Sequence, residues 1–218
     1  MQKFMKYKDA EYKNQMISVD VCAFSIINNK LNVLLLKRAE EPYKNMWSLI
    51  GGLVYNNETC ENAVKRELEE KLDIHDISPI LSSVFSEPKR DIRFRNISIS
   101  YFCLVNPSIA HKINTKKVLE VKWFDVSDSM KLAFDHNDIL SKAISQLKEK
   151  VFDINFIKPY LPEQYTLPTL QTIYESILQT KLDKRNFRRK LNSLNCLIDT
   201  GDKNESDKHK KSIIYRFK

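Results

Sequence analysis

The sequence predicts an α+β chain in two parts, residues 1–150 and 151–218. Three observations carry this. Strand-like runs lead into paired glycines, Gly51 and Gly52, and then into a carboxylate-rich helical pattern. A stretch with Pro159 and Pro162 interrupts the pattern at 151–164. Beyond it the order is helix, turn, basic helix and two strand-like runs.

Composition narrows the function classes. The chain has 218 residues, 42% of them hydrophobic, which is enough for a sizeable core. No run of about 18 apolar residues exists, so no membrane span is expected. Residues 1–8 lack an apolar h-region and do not read as a signal peptide. Cys22, Cys60, Cys103 and Cys196 have no metal-ligand spacing, which fits a reduced, cytoplasmic setting without zinc. His75, His111, His136 and His209 are scattered and read as structural or exposed. The net charge is +8, and 151–218 alone holds 13 basic and 8 acidic residues. A basic C-terminal segment points toward nucleic acid.

Residues 1–17 are polar and read as an arm or short helix. β-Branched and aromatic residues make 19–27 a strand. Asn28-Asn29-Lys30 is a turn, and 31–37 is a second strand, apolar enough to be covered on both faces. Thr59 is a candidate cap for a helix reaching Leu72. Val64, Leu68 and Leu72 recur every four residues and would pack on a sheet. Strands follow at 80–85, 95–105 and 121–124, then a helix at about 137–150.

The stretch 51–74 resembles the Nudix box, Gly-x5-Glu-x7-Arg-Glu-U-x-Glu-Glu-x-Gly-U, where U is aliphatic. Gly52, Glu58, Arg66, Glu67, Leu68, Glu70 and Ile74 match it; Lys71 replaces the last Glu and Asp73 the Gly. The resemblance implies an α/β/α Nudix sandwich and a helix face that binds magnesium. Positions 67, 70 and 71 share that face. Lys71 can pair with Glu67 four residues back, filling the space of a cation and removing an oxygen ligand. No metal is therefore expected. Should the chain be a hydrolase, Arg66, Glu67 and Glu70 would be catalytic, with Glu67 and Glu70 on Mg²⁺. The turn 87–91 resembles the Arg-Asp-Pro loop of Nudix domains that handle ADP-ribose, with Ile92 in place of the Pro. Phe134-Asp135-His136 resembles the same branch, and its His reads as a capping or packing residue.

In the tail, Leu170, Ile173, Tyr174 and Ile177 mark a helix over 166–179. Asp183 can cap a second helix, 184–193, with Phe187, Leu191 and Leu194 turned inward. Arg185 and Arg189 then lie opposite, with Asn186, Arg188 and Asn192 beside them. Two strands, 196–198 and 212–217, enclose a charged loop, 199–211. This is a winged helix-turn-helix order. Lys184, Arg185, Asn186, Arg188, Arg189 and Asn192 form the candidate DNA-reading set. Lys208, Lys210 and Lys211 are the candidate phosphate contacts.

A Nudix domain with this tail resembles the Nudix-related transcriptional regulators. Segment 182–190 resembles their recognition helix, and 161–167 resembles the entry to their DNA-binding domain. The family includes repressors of NAD metabolism that sense ADP-ribose and a branch that senses L-arabinose; the tail looks nearer the second. The resemblance implies a homodimer on a palindromic operator. It also implies an effector pocket with Arg38, Gly51, Gly52, Arg66, Glu67, Glu70, Arg90 and Asp91, and ADP-ribose or a pentose as effector. The rival expectation is a Mg²⁺-dependent ADP-ribose pyrophosphatase with an accessory domain. An RNA-binding reading lacks an aromatic stacking platform.

Overall fold

The computed structural model describes residues 15–107, 113, 115–204 and 212–218. Strands β1 (Met16–Ile27) and β2 (Lys30–Arg38) form the expected hairpin. Asn28 and Asn29 turn it at φ 51° and 60°, left-handed values that asparagine tolerates. β3 (Trp47–Ser48) and β4 (Ile50–Leu53) follow, then α1 (Cys60–Leu72), β5 (Ile80–Phe85), β6 (Asn96–Leu104), β7 (Val118–Asp125) and α2 (His136–Lys150).

The seven strands make one sheet. β1 runs parallel to β6 at its centre, β4 pairs with β1, and β7 pairs with β2. Alternation along β1 assigns the faces. Val19, Val21 and Ala23 pack with Val64, Leu68 and Leu72 of α1. Cys22 and Phe24 pack with Ile139, Ala143 and Leu147 of α2. The sheet lies between two helices, which is the sandwich expected. Each of these large apolar side chains contributes about 1.5–3 kcal/mol by leaving water.

The rest of the chain forms α3 (Ile154–Ile157), a single 3-10 turn (Lys158–Tyr160), β8 (Tyr165–Thr166), α4 (Leu167–Leu178), α5 (Lys184–Ser193), β9 (Leu197–Asn204) and β10 (Ser212–Phe217). β10 is central in a three-stranded sheet, β8-β10-β9. Its core, with Leu170, Tyr174, Ile177, Phe187 and Leu191, is continuous with the α2 side of the larger sheet. The Ser176 hydroxyl donates to the Asn29 carbonyl at 2.7 Å, so α4 is seated on the β1–β2 turn.

Several boundaries differ from expectation. Of the predicted arm, 1–14 lies outside the described residues, and Met16 and Ile17 extend β1 because β6 offers them partners. The stretch 151–164 is not a plain break. Asp153 caps α3 through the Asn155 amide, and Ile157 is buried. β8 escaped notice because two residues carry no period. β9 runs seven residues past Leu197, into what was read as a charged loop, because β10 pairs with it through Asn204.

Candidate functional site

A cleft of about 430 Å³ opens where α1, β4 and the start of α2 meet. Two glycines let the elements close on it. At Gly51 an added Cβ would sit 2.3 Å from the Val19 carbonyl and 2.5 Å from Asp20 Oδ1. At Gly52 it would meet Glu67 Oε1 at 2.0 Å. Thr59 caps α1 by accepting from the Asn62 amide at 3.2 Å. Asp73 ends the helix at φ 57°, a left-handed cap that explains why the motif has glycine there.

Glu67 is buried, and both its oxygens are taken by cations. Arg66 reaches Oε1 at 2.7 Å and the Lys71 ammonium reaches Oε2 at 2.7 Å. Lys71 also donates to the Gly51 carbonyl. The Glu67–Lys71 pair expected from the sequence is present. Arg66 further holds Glu58 at 2.7 Å and lies over the Tyr55 ring at 4.0 Å. Bonds from Arg66 keep the Glu58 carboxyl below its usual range. Magnesium is usually held by one or two carboxylates with waters and phosphates, and here both Glu67 oxygens are paired and the Lys71 ammonium stands beside them. Among the described residues, no three His, Cys, Asp or Glu side chains group to hold a metal. The residues do not fit magnesium.

Behind β4 lies a buried polar cluster. Arg90 donates to Asp135 at 2.6 and 2.8 Å and reaches Asp20 at 3.3 Å. Ser98 donates to Asp20 Oδ2 at 2.5 Å. His136 Nδ1 accepts from the Leu49 amide at 2.9 Å, while Nε2 faces Asp20 Oδ1 at 3.4 Å. Burial lowers the His136 pKa despite the nearby carboxylates. This histidine packs and positions, as its sequence context implied. Burial opposes ionisation of Asp91, yet bonds from Arg93 win and hold its carboxyl below the usual range.

The mouth of the cleft carries a cation–aromatic stack. Phe134, at φ 55°, presents its ring to Arg38 at 5.0 Å and to Arg93 at 5.6 Å. Arg38 bonds to the carbonyls of Pro42 and Glu40. Burial, then the charge of Arg93, lowers its pKa.

Of the residues expected at an effector pocket, Arg38, Gly51, Gly52, Glu67, Glu70, Arg90 and Asp91 line this cleft. Arg66 stands behind the lining and braces Glu58 and Glu67 instead. Sequence reasoning missed Lys71 as a lining residue, along with Asp20, Arg93, Phe134 and Lys117. Asp20 had a signal, a lone carboxylate inside an apolar strand. The others did not.

A second surface lies on α5. Asp183 caps it by accepting from the Asn186 amide at 2.9 Å. Phe187 and Leu191 are buried, and Lys184, Arg185, Asn186, Arg188, Arg189 and Asn192 are exposed together. Arg189 donates to Asn186 Oδ1 at 2.9 Å. Lys208, Lys210 and Lys211 lie outside the described residues, as do His111 and His209.

Comparison with known proteins decides the family. Residues 16–146 match the NUDIX domain model, and 159–217 match the NrtR DNA-binding winged helix domain. The chain is 32% identical to the ADPR responsive transcriptional repressor NtrR of Acinetobacter baylyi, over 97% of this chain and 86% of that one. It belongs to the NrtR-type Nudix-related transcriptional regulators. The tail, expected nearer the sugar-sensing branch, matches the NrtR model. Among solved structures it resembles Shewanella oneidensis NrtR in complex with a 27mer DNA, with TM-score 0.76, 29% identity and 93% of each chain covered. The NUDIX domain of that NrtR, complexed with ADP ribose, matches at TM-score 0.59 and 29% identity, covering 65% of this chain and 94% of that one. No helix among the described residues is long and apolar enough to cross a membrane.

Proposed function

We propose that this NrtR-type regulator is a cytoplasmic repressor that binds operator DNA through α5 and releases it when ADP-ribose occupies the Nudix cleft. The observation that carries the reading is one chain joining two surfaces. A polar cleft that holds Arg38 and Lys117, its metal face closed by Lys71, sits beside a winged helix with an outward Arg/Asn face. The A. baylyi relative is named for its response to ADPR, and the S. oneidensis structures hold DNA and ADP ribose.

ADP-ribose is favoured over a pentose by size and charge. The cleft, about 430 Å³, falls in the range of about 300–1,000 Å³ common for sites of larger ligands. Lys71, Arg38 and Lys117 suit a diphosphate, which a pentose lacks. Within α5, Arg185 and Arg189 read bases with Asn186 and Asn192 beside them, and Lys208, Lys210 and Lys211 hold phosphates. The reading includes a homodimer on a palindromic operator, since helix-turn-helix readers usually place two recognition helices on half-sites about one helical turn apart. Hydrolysis of ADP-ribose is negligible, because the metal face is occupied.

The test is fluorescence anisotropy on DNA from the chain's own upstream region, titrated with ADP-ribose and, separately, with L-arabinose. Release by ADP-ribose alone is expected. Operator affinity unchanged by either ligand would remove the sensor reading. Turnover of ADP-ribose near about 1 s⁻¹ with magnesium would restore the enzyme reading. Light scattering with and without operator tests the dimer.

A further inference from the structure

We infer that the Lys71 ammonium takes the place of the divalent cation, so that the anionic effector is held without metal. This rests on the ADP-ribose reading above and names how that ligand is gripped.

Lys71 lines the cleft, and its Nζ lies 2.7 Å from Glu67 Oε2 and donates to the Gly51 carbonyl. An ammonium has three donors. Glu67 and Gly51 use two, which leaves one for a phosphate oxygen. The side chain is 17% exposed, so its charge is partly withdrawn from water yet reachable from the cleft.

Charge balance points the same way. With a glutamate at position 71, Glu58, Glu67, Glu70 and that residue would set four carboxylates against Arg66 alone. Such a cluster repels a diphosphate until a divalent cation enters. With Lys71, three carboxylates, Glu58, Glu67 and Glu70, face a guanidinium and an ammonium. The repulsion is reduced by two charges, and across the cleft the basic side chains, Arg38, Lys71, Arg90, Arg93 and Lys117, equal the acidic ones in number. Lys71 therefore does two things. It closes the site to magnesium, and it supplies a resident cation that needs no loading.

The experiment is calorimetric titration of the full chain with ADP-ribose, once in EDTA and once in magnesium chloride. Equal affinity in the two buffers is expected. Lys71→Met should lose about tenfold in both, the scale of one charge-assisted contact, and Lys71→Arg should recover most of that loss. Lys71→Glu should bind more tightly with magnesium than in EDTA. Thermal melts check that each variant folds, and a purely structural role for Lys71 would not change metal dependence. Wild-type binding that requires magnesium, or Lys71→Met binding as the wild type does, would overturn the inference alone. Failure of the wild type to bind ADP-ribose in either buffer would overturn the effector reading and this inference with it.

Discussion

The ring of Tyr174 on α4 meets that of Phe187 on α5 edge-on, with centroids 5.2 Å apart and planes at 63°. This contact sets the roll of the recognition helix, and so the direction of its Arg/Asn face. On its other side Tyr174 lies 5.0 Å from Phe152, just past the end of α2. Lys190 of α5 sits over the same Phe152 ring at 5.5 Å. The first turn of α2, with His136, borders the effector cleft. α2 thus borders the cleft at one end, and Phe152 just past its other end meets the core of the winged helix.

Removing Phe152 should uncouple the two. Phe152→Ala is expected to cost less than the roughly 3–5 kcal/mol of a fully buried phenylalanine, because the ring is only partly buried. Its main effect should be on linkage. The factor by which ADP-ribose weakens operator binding should shrink, and the factor by which operator weakens ADP-ribose binding should shrink equally. Anisotropy and calorimetry measure the two sides. A variant that folds and keeps the full factor would remove Phe152 from the coupling.

The two glycines should respond differently to alanine. At Gly51 the new methyl would strike backbone, the Val19 carbonyl, in a strand paired on that side. Gly51→Ala should lower stability by about 1–3 kcal/mol. At Gly52 the obstacle is the tip of Glu67. That carboxylate can swing aside, but only by leaving Arg66 and Lys71. Gly52→Ala should therefore lose more ADP-ribose affinity than stability. Urea midpoints and binding isotherms for both variants check this, and the reverse ranking would refute it.

How much of this was legible in the sequence depends on distance along the chain. The β1–β2 hairpin was legible because a β-branched run meets Asn28-Asn29. The rotation of α5 was legible because Phe187 and Leu191 are one turn apart. The Glu67–Lys71 pair was legible for the same reason. The Asp20–Arg90–Asp135 cluster was not, since its bonded pairs are 70 and 45 residues apart in the chain. The Arg38–Phe134–Arg93 stack was hidden likewise. Arg66 had the right type and spacing for the cleft. Its guanidinium is instead taken up by Glu58 and Glu67 and covered by the Tyr55 ring.

His136 should make the fold sensitive to mild acid. Its Nδ1 accepts from the Leu49 amide, so a proton there would set two donors against each other. Burial lowers its folded pKa below the usual histidine range. The sign follows from proton counts. Above about pH 6.5 the imidazole is neutral in both states and contributes no pH dependence. Below that, the unfolded state takes up a proton first, so stability falls by up to about 1.4 kcal/mol per pH unit until the folded pKa is reached. Denaturant midpoints between pH 7.5 and 5 should fall for the wild type and fall less steeply for His136→Gln. Parallel curves would rule out His136 as the titrating group.

Arg185 and Arg189 should carry specificity, while Lys208, Lys210 and Lys211 should carry affinity. Phe187 and Leu191 are buried against α4 and the small sheet, which fixes the rotation of α5 and leaves both arginines in solvent. Asn186 holds Arg189 at 2.9 Å, so part of the ordering that a base contact requires is already in place. A bidentate arginine–guanine contact is worth about 1–3 kcal/mol of discrimination. Arg185→Ala or Arg189→Ala should therefore narrow the gap between operator and scrambled DNA by roughly ten- to a hundredfold. Asn186→Ala should give a smaller loss, by freeing Arg189 rather than removing it. Lys208→Ala, Lys210→Ala and Lys211→Ala should each weaken all DNA alike and reduce the salt slope by about one. Isotherms on both DNAs at several salt concentrations separate these outcomes. Full specificity in both arginine variants would take base reading away from this face of α5.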